Sequence, residues 1–261
     1  MNTKDRSILL NSFRFGWLCS IPFILHSAAL AVTATDDDLR PNPVNADQTQ
    51  FISESTLIVN DVGNNKAIKS VDGTSTQGAA ISWNSVTKQV SVDPAGIQSF
   101  IALDSGESAD DQFDYTLEGE GDDDSATVQI RFNGVNDRPT LSGTTGTFNA
   151  NDNISTYTPL INVTIGDPDV EDVTVTVTID STKGDFSNFS TLGFSNSIAG
   201  NDYVYSFTGS MANAQAKVRA LNFVPVENLA SVNNSTNLLV EIKVMDEALE
   251  VVNNKTISIL S

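Results

Sequence analysis

The residues able to do chemistry in this chain are acids and amides bunched at the ends of short apolar runs. Leu103-Asp104-Ser105-Gly106-Glu107 is an acidic loop, Phe113 to Leu117 alternates as a strand, and Glu118 to Asp124 is a second acidic loop. Ser125 to Phe132 alternates again, and Gly134-Val135-Asn136-Asp137-Arg138-Pro139 follows. Oxygen ligands at both ends of a strand pair, closed by a stiff joint, suit a hard cation such as Ca²⁺. Asp and Asn are also turn formers. That accounts for Asp122, Asp123 and Asp124 as a solvated loop. It accounts less well for bunching, because crowded carboxylates repel one another unless a cation sits among them.

The first residues decide which other chemistries remain. Lys4, Arg6 and Arg14 precede an apolar run from Phe15 to Val32, and Ala29-Leu30-Ala31 has the small-x-small form of a cleavage site. This is the pattern of a secretory signal over residues 1–31. Ser20, Pro22 and His26 interrupt the run, which argues against a membrane span. Leu18 before Cys19 argues against lipidation. Cleavage near Ala31 removes Cys19 and His26, the chain's one Cys and one His. Thiol and imidazole nucleophiles, a Ser-His-Asp triad, disulfides and zinc sites go with them.

Beyond residue 31 the chain keeps 32 acids (all 33 but Asp5) and 11 bases (all 14 but Lys4, Arg6 and Arg14), a net charge of −21. Such a surface repels phosphate backbones and anionic membranes, which excludes nucleic-acid binding and membrane insertion after cleavage. A carboxylate pair could serve glycoside hydrolysis. Trp83 is the one Trp beyond the signal, and no aromatic platform or catalytic constellation is legible, so the chain reads as non-enzymatic.

About 230 residues after the signal make one or two domains. Residues 32–42, with Asp36-Asp37-Asp38 and nearby Pro41 and Pro43, read as a flexible, solvated leader. Residues 43–139 read as a first β-sandwich with strands at Leu57 to Asn60, Ala79 to Trp83, Gln89 to Val92, Phe113 to Leu117 and Ser125 to Phe132. Pro94 to Leu103 fits a helical turn as well as a strand. The joint at Asn136 to Thr140 is the boundary, since proline keeps the preceding chain extended. In residues 140–261, Val173 to Ile179 alternates strictly, and Tyr203 to Phe207, Leu238 to Met245 and Thr256 to Leu260 are further strands. Met211, Ala214, Val218 and Leu221 fall at helical spacing behind Ser210 as N-cap, so one short helix bridges the two sheets of the second domain.

The order of acidic loop, strand pair and Asn-Asp-x-Pro joint resembles the C-terminal half of a cadherin repeat, and is most similar to the bacterial cadherin-like and VCBS-type repeats of secreted adhesins. The resemblance covers most of the first domain and, more loosely, the second. It implies two tandem cadherin-like (Ig-like) β-sandwiches and a calcium cage. Glu54 matches the family's base-of-strand glutamate. Asp104 and Glu107 match its Asp-Arg-Glu segment, with two residues between them here rather than one. Asn136 and Asp137 match the linker ligands, and Arg138 replaces the usual third polar residue. Asp167 and Asp169 match the Asp-x-Asp motif that opens the next repeat, and Asp246 its partner aspartate. Glu171 and Asp172 read as surface charge.

The resemblance therefore implies one interdomain cage drawing Ca²⁺ ligands from several segments. The expected protein is a secreted or cell-surface, calcium-binding, bacterial structural or adhesion protein. Its partners beyond calcium would be surface proteins, glycans or a second copy of itself. The alternative is a non-catalytic carbohydrate-binding or accessory module, binding glycan through Trp83 or a Tyr203/Tyr205 edge.

Overall fold

A computed structural model describes residues 31–152, 156–169, 171–247 and 249–261. The signal segment expected over 1–31 lies almost wholly outside the described residues.

The first domain runs through β1 (Asp37–Asp38), β2 (Val44–Asn45), β3 (Gln50–Ser53), α1 (Glu54–Leu57), β4 (Ala67–Val71), β5 (Ala80–Asn84), β6 (Gln89–Asp93), α2 (Gln98–Ile101), β7 (Ser108–Glu118) and β8 (Asp124–Asn133). One sheet has the order β1-β8-β7-β4, with β2 also on β8, and the other has β3-β6-β5. Alternation along β7 and β8 buries Phe113, Tyr115, Leu117, Val128, Ile130 and Phe132 between the sheets, against Ile52, Ile81, Val90 and Val92. Each such side chain taken out of water contributes about 1.5–3 kcal/mol before the cost of chain ordering.

The second domain runs through β9 (Thr140–Ser142), β10 (Thr147–Asn151), β11 (Thr164–Gly166), β12 (Asp172–Asp180), β13 (Gly184–Phe186), β14 (Ser195–Ala199), β15 (Asp202–Ser210), α3 (Met211–Arg219), β16 (Phe223–Pro225), β17 (Ser235–Asp246) and β18 (Leu249–Leu260). Its large sheet has the order β10-β18-β17-β12-β15-β14, and the pairs β9–β11 and β13–β16 complete the sandwich. Val173, Val175, Val177 and Ile179 of β12 are buried while the threonines between them are not. The helix α3 buries Ala214 and Val218 and lies against β11 and β15, so it bridges both sheets. Gln215 Oε1 accepts the Ile165 N–H at 2.9 Å, which ties it to β11. The chain is therefore all-β, with two tandem β-sandwiches, each with its own core.

Two expectations are corrected. Residues 32–42 are not a free leader. Val32 is buried in the first core, Thr33 exchanges backbone bonds with Val62, and β1 and β2 pair parallel with β8. Acid and proline content reads as solvated, but the carboxylates of Asp124 and Asp61 accept the N–H groups of Ala34 and Thr35. Leu57 to Asn60 is not a strand. Ser53 Oγ accepts the Thr56 N–H at 3.3 Å, and this cap turns the chain into α1. The stretch read as either helix or strand resolves to the turn α2.

Candidate metal centre

The loop after α2 places Asp104. The Glu107 N–H donates to the Asp104 carbonyl at 3.0 Å, and the Asp104 N–H donates to Glu107 Oε2 at 3.2 Å. Gly134, just past β8, donates its N–H to the Glu107 carbonyl at 3.0 Å. A Cβ on Gly134 would lie 2.2 Å from the Leu103 carbonyl oxygen and 2.3 Å from that of Asp104, so only glycine fits there. The loop carrying Asp104 is thus held against the start of the joint.

The joint is held to the second domain in turn. Asn136 Nδ2 donates to Asp246 Oδ1 at 3.1 Å, and the Asp137 N–H donates to Asp169 Oδ2 at 2.6 Å. The Asp169 N–H donates to Asp167 Oδ1 at 3.3 Å, closing the Asp-Pro-Asp turn. Asp169 and Asp246 are fully buried.

Carboxylates from both domains meet at this junction. Oxygens of Asp104, Asp169 and Glu171 all lie within 4.8 Å of one another, as do oxygens of Asp167, Glu171 and Asp246. Among the described residues none of these acids has an ion pair to Lys or Arg. Six buried oxygens here lack a hydrogen-bond partner: Asn136 Oδ1, Asp167 Oδ2, Asp169 Oδ1, both oxygens of Glu171, and Asp246 Oδ2. Burial pushes the Asp167 carboxyl up to about 7, reinforced by its contact with Asp246 and the charge of Glu171. Burial, then the Asp104 charge, pushes Glu171 up to about 7. Burial also raises Asp169, Asp137 and Asp47, whose neighbours are again acids. Such a group must bind protons or a cation. All the donors are hard oxygens, the ligand type Ca²⁺ takes, and the two carboxylate groups share Glu171, so the residues fit that ion.

Asp104, Asn136, Asp137, Asp167, Asp169 and Asp246 lie together at this junction, and Glu54 and Glu107 do not join them. Glu54 Oε1 accepts the Ile68 N–H at 2.9 Å, and its carboxylate pairs with Lys88 at 3.4 Å. Ile68 pairs with Leu117, which pairs with Asp124 at the turn end of the β7–β8 hairpin. The junction lies at the opposite end, where Ser108 pairs with Asn133. At about 3.3 Å per residue Glu54 is a strand's length away. Glu107 is exposed and acts by holding the Asp104 backbone.

Glu171 is the residue that sequence reading misplaced, since it belongs to both carboxylate groups. Asp47, between β2 and β3, also lies close enough for its charge to act on Asp137 and Asp169, and nothing local in the sequence marks it. Of the aromatic candidates for a glycan platform, Tyr205 is buried, with its hydroxyl accepting the Phe186 N–H at 3.2 Å. Trp83 packs against the first core, with Lys88 Nζ 5.5 Å from its ring.

No protein-family model matches the chain, and no curated protein does. Similar solved structures include protocadherin gamma B2 extracellular cadherin domains 1–5, at 11% identity over 88% of this chain and 40% of that one, with a TM-score of 0.30. Drosophila N-cadherin EC1–4 is 11% identical over 87% of this chain and 49% of that one, with a TM-score of 0.36. The titin I-band fragment I67–I69 is 13% identical over 88% of this chain and 64% of that one, with a TM-score of 0.25. The chain therefore spans less than two thirds of the length of each. At these TM-scores, function rests on this chain's own residues. Fold and site together define a tandem β-sandwich protein with an acid-lined interdomain junction.

Proposed function

We propose that this chain is a secreted or cell-surface, non-catalytic adhesion or display module of a bacterial surface or matrix, stiffened by Ca²⁺ at its interdomain junction. The observation that carries this reading is the meeting, where the two sandwiches join, of two carboxylate groups that share Glu171 and hold buried oxygens without hydrogen-bond partners. Asp104, Asp167, Asp169, Glu171, Asp246 and Asn136 would hold the ion, which would supply the positive charge that neutralises them. Asp137 and Glu107 position the loops through their hydrogen bonds. A junction without a cation holds carboxylates that repel and splay the domains. With Ca²⁺ the same charges become ligands and fix the angle, turning a hinged pair into a rod that projects a binding surface. No helix among the described residues is long and apolar enough to cross a membrane.

The test combines calorimetric Ca²⁺ titration with small-angle scattering, in chelator and in excess Ca²⁺. Binding at about 10⁻⁴ to 10⁻³ M, the range of extracellular modules, should accompany a narrower distribution of interdomain angles. The pair Asp167→Asn with Asp169→Asn should remove both effects while each sandwich stays folded. An unchanged scattering response in that variant would overturn the assignment of the junction.

A further inference from the structure

The large sheet of the second domain ends at β14, and that edge is bare. Ala199 pairs with Asp202 across a two-residue turn in which Gly200 has φ +65°. A two-residue turn closes on residues that exchange both backbone bonds, and such pairs recur at every second residue. Ser197 with Val204 and Ser195 with Ser206 are therefore also bonded pairs. Two contacts agree with this parity. Ser195 Oγ donates to the Ser206 carbonyl at 3.1 Å, and the Ser181 N–H donates to the Asn201 carbonyl at 2.8 Å, so odd-numbered residues of this strand face β12 and even-numbered ones face β14. Asn196 and Ile198 consequently turn their N–H and C=O groups away from the sheet.

Three other edges carry guards that β14 lacks. On β10, the Tyr157 hydroxyl accepts the Asn151 N–H at 2.8 Å and donates to the Asn151 carbonyl at 3.0 Å. On β4 there is a register shift between Ile68 and Ser70, and Lys69 pairs with Asp123. Thr74 bridges to Ala80 of β5. By contrast, Ser-Asn-Ser-Ile-Ala of β14 has no charge, proline or bulge, and all five residues are exposed, Ile198 at 69%. Unguarded edges of this kind pair with further strands.

We propose that β14 is a self-association edge, through which two copies of this chain join antiparallel and continue the sheet across a two-fold axis. Centred on Ser197, each Asn196 lies opposite the partner copy's Ile198, and each Ser195 opposite its Ala199. The two outward-facing residues of each strand then exchange all four free N–H···O=C bonds. A second copy is favoured as occupant because the edge is its own complement: under the two-fold its outward N–H and C=O groups match one another, and β14 carries no charge, so the net charge of −19 that makes two copies repel sets no carboxylate opposite another within the paired strands. A five-residue edge is small, so the dimer is weak, half-formed at on the order of 0.1–1 mM.

Sedimentation equilibrium of the purified chain from about 10 μM to 1 mM tests this. It is run in chelator and in Ca²⁺, so that failure of the calcium reading leaves it standing. Asn196→Pro removes one outward N–H and leaves the hairpin's own bonds intact, as proline on a free edge can. It should weaken association at least about tenfold with an unchanged melting temperature, and Ile198→Lys should do the same. In the wild type, amide exchange at Asn196 and Ile198 should slow with concentration, while Ser197 stays constant. A chain monomeric throughout, or a dimer that survives both substitutions, overturns the proposal.

Discussion

Asp104 of the first sandwich and Glu171 of the second hold carboxylate oxygens within 4.8 Å of each other. These two residues link the domains electrostatically, and in the absence of a cation the link is repulsive. Glu171 is also the residue common to both groups of acids, so it should govern calcium affinity more than any single ligand.

Glu171→Gln should therefore separate the two states of the junction. In chelator the variant should melt at or above the wild-type temperature, because one repelling charge is gone. At free Ca²⁺ of 100 times the dissociation constant the wild type should gain about 2.7 kcal/mol, or about 10 °C. The variant should gain less than half of that. Differential scanning calorimetry reads both, and a full calcium shift in Glu171→Gln would remove it from the site.

Gly134→Ala should damage the site from outside it. The new methyl meets the Leu103 and Asp104 carbonyls, so the loop must shift and carry Asp104 with it. Overpacking of this kind costs about 1–3 kcal/mol. Stability of the first domain and calcium affinity should fall together in urea melts and titration. A loss of stability with unchanged affinity would show that the loop moves without Asp104.

Inside the first sandwich, Asp37 should make stability depend on pH. It is 7% exposed, and burial, then the charge of Asp61, pushes its carboxyl up to about 6 from 3.8. The folded state thus binds this proton more tightly than the unfolded chain does. The contribution is fully present below pH 3.8 and is lost as pH rises through 6. The span corresponds to at most about 3 kcal/mol. Asp37→Asn should flatten the dependence between pH 4 and pH 7 and stabilise the domain at pH 7. Urea melts across that range check it, and parallel curves for both proteins would place the proton elsewhere.

Much of the fold was legible because burial here follows a period of two. Val173 to Ile179, Phe113 to Leu117 and Ser125 to Phe132 announce their inward faces, and Met211 to Leu221 announces a different period. Residues 32–45 were illegible for the converse reason. Their strands are two residues long, and what docks them is Val32 together with backbone bonds to distant carboxylates. The site divides the same way. Acids beside a turn or joint were found. Asp47 stands alone in sequence, and Glu171 reads as surface charge because it follows an acidic turn.

Glu54 shows the limit of matching by position, since a glutamate at a strand's end says nothing about which end of the domain it serves. Glu54→Gln should leave the calcium-induced melting shift intact. It should cost no more than about 1 kcal/mol through its partly exposed pair with Lys88. A reduced shift in this variant would return Glu54 to the metal centre.

The parallel pairing of early and late strands has a mechanical consequence. In the first domain β1 and β2 run alongside β8, and in the second β10 runs alongside β18 over Thr147 to Asn151. When a domain's two ends are drawn apart, strands so paired are dragged past each other lengthwise. The bonds between β10 and β18 lie across that motion and resist as a set, in shear, instead of opening singly like a zip. Each sandwich therefore carries its own clasp against tension.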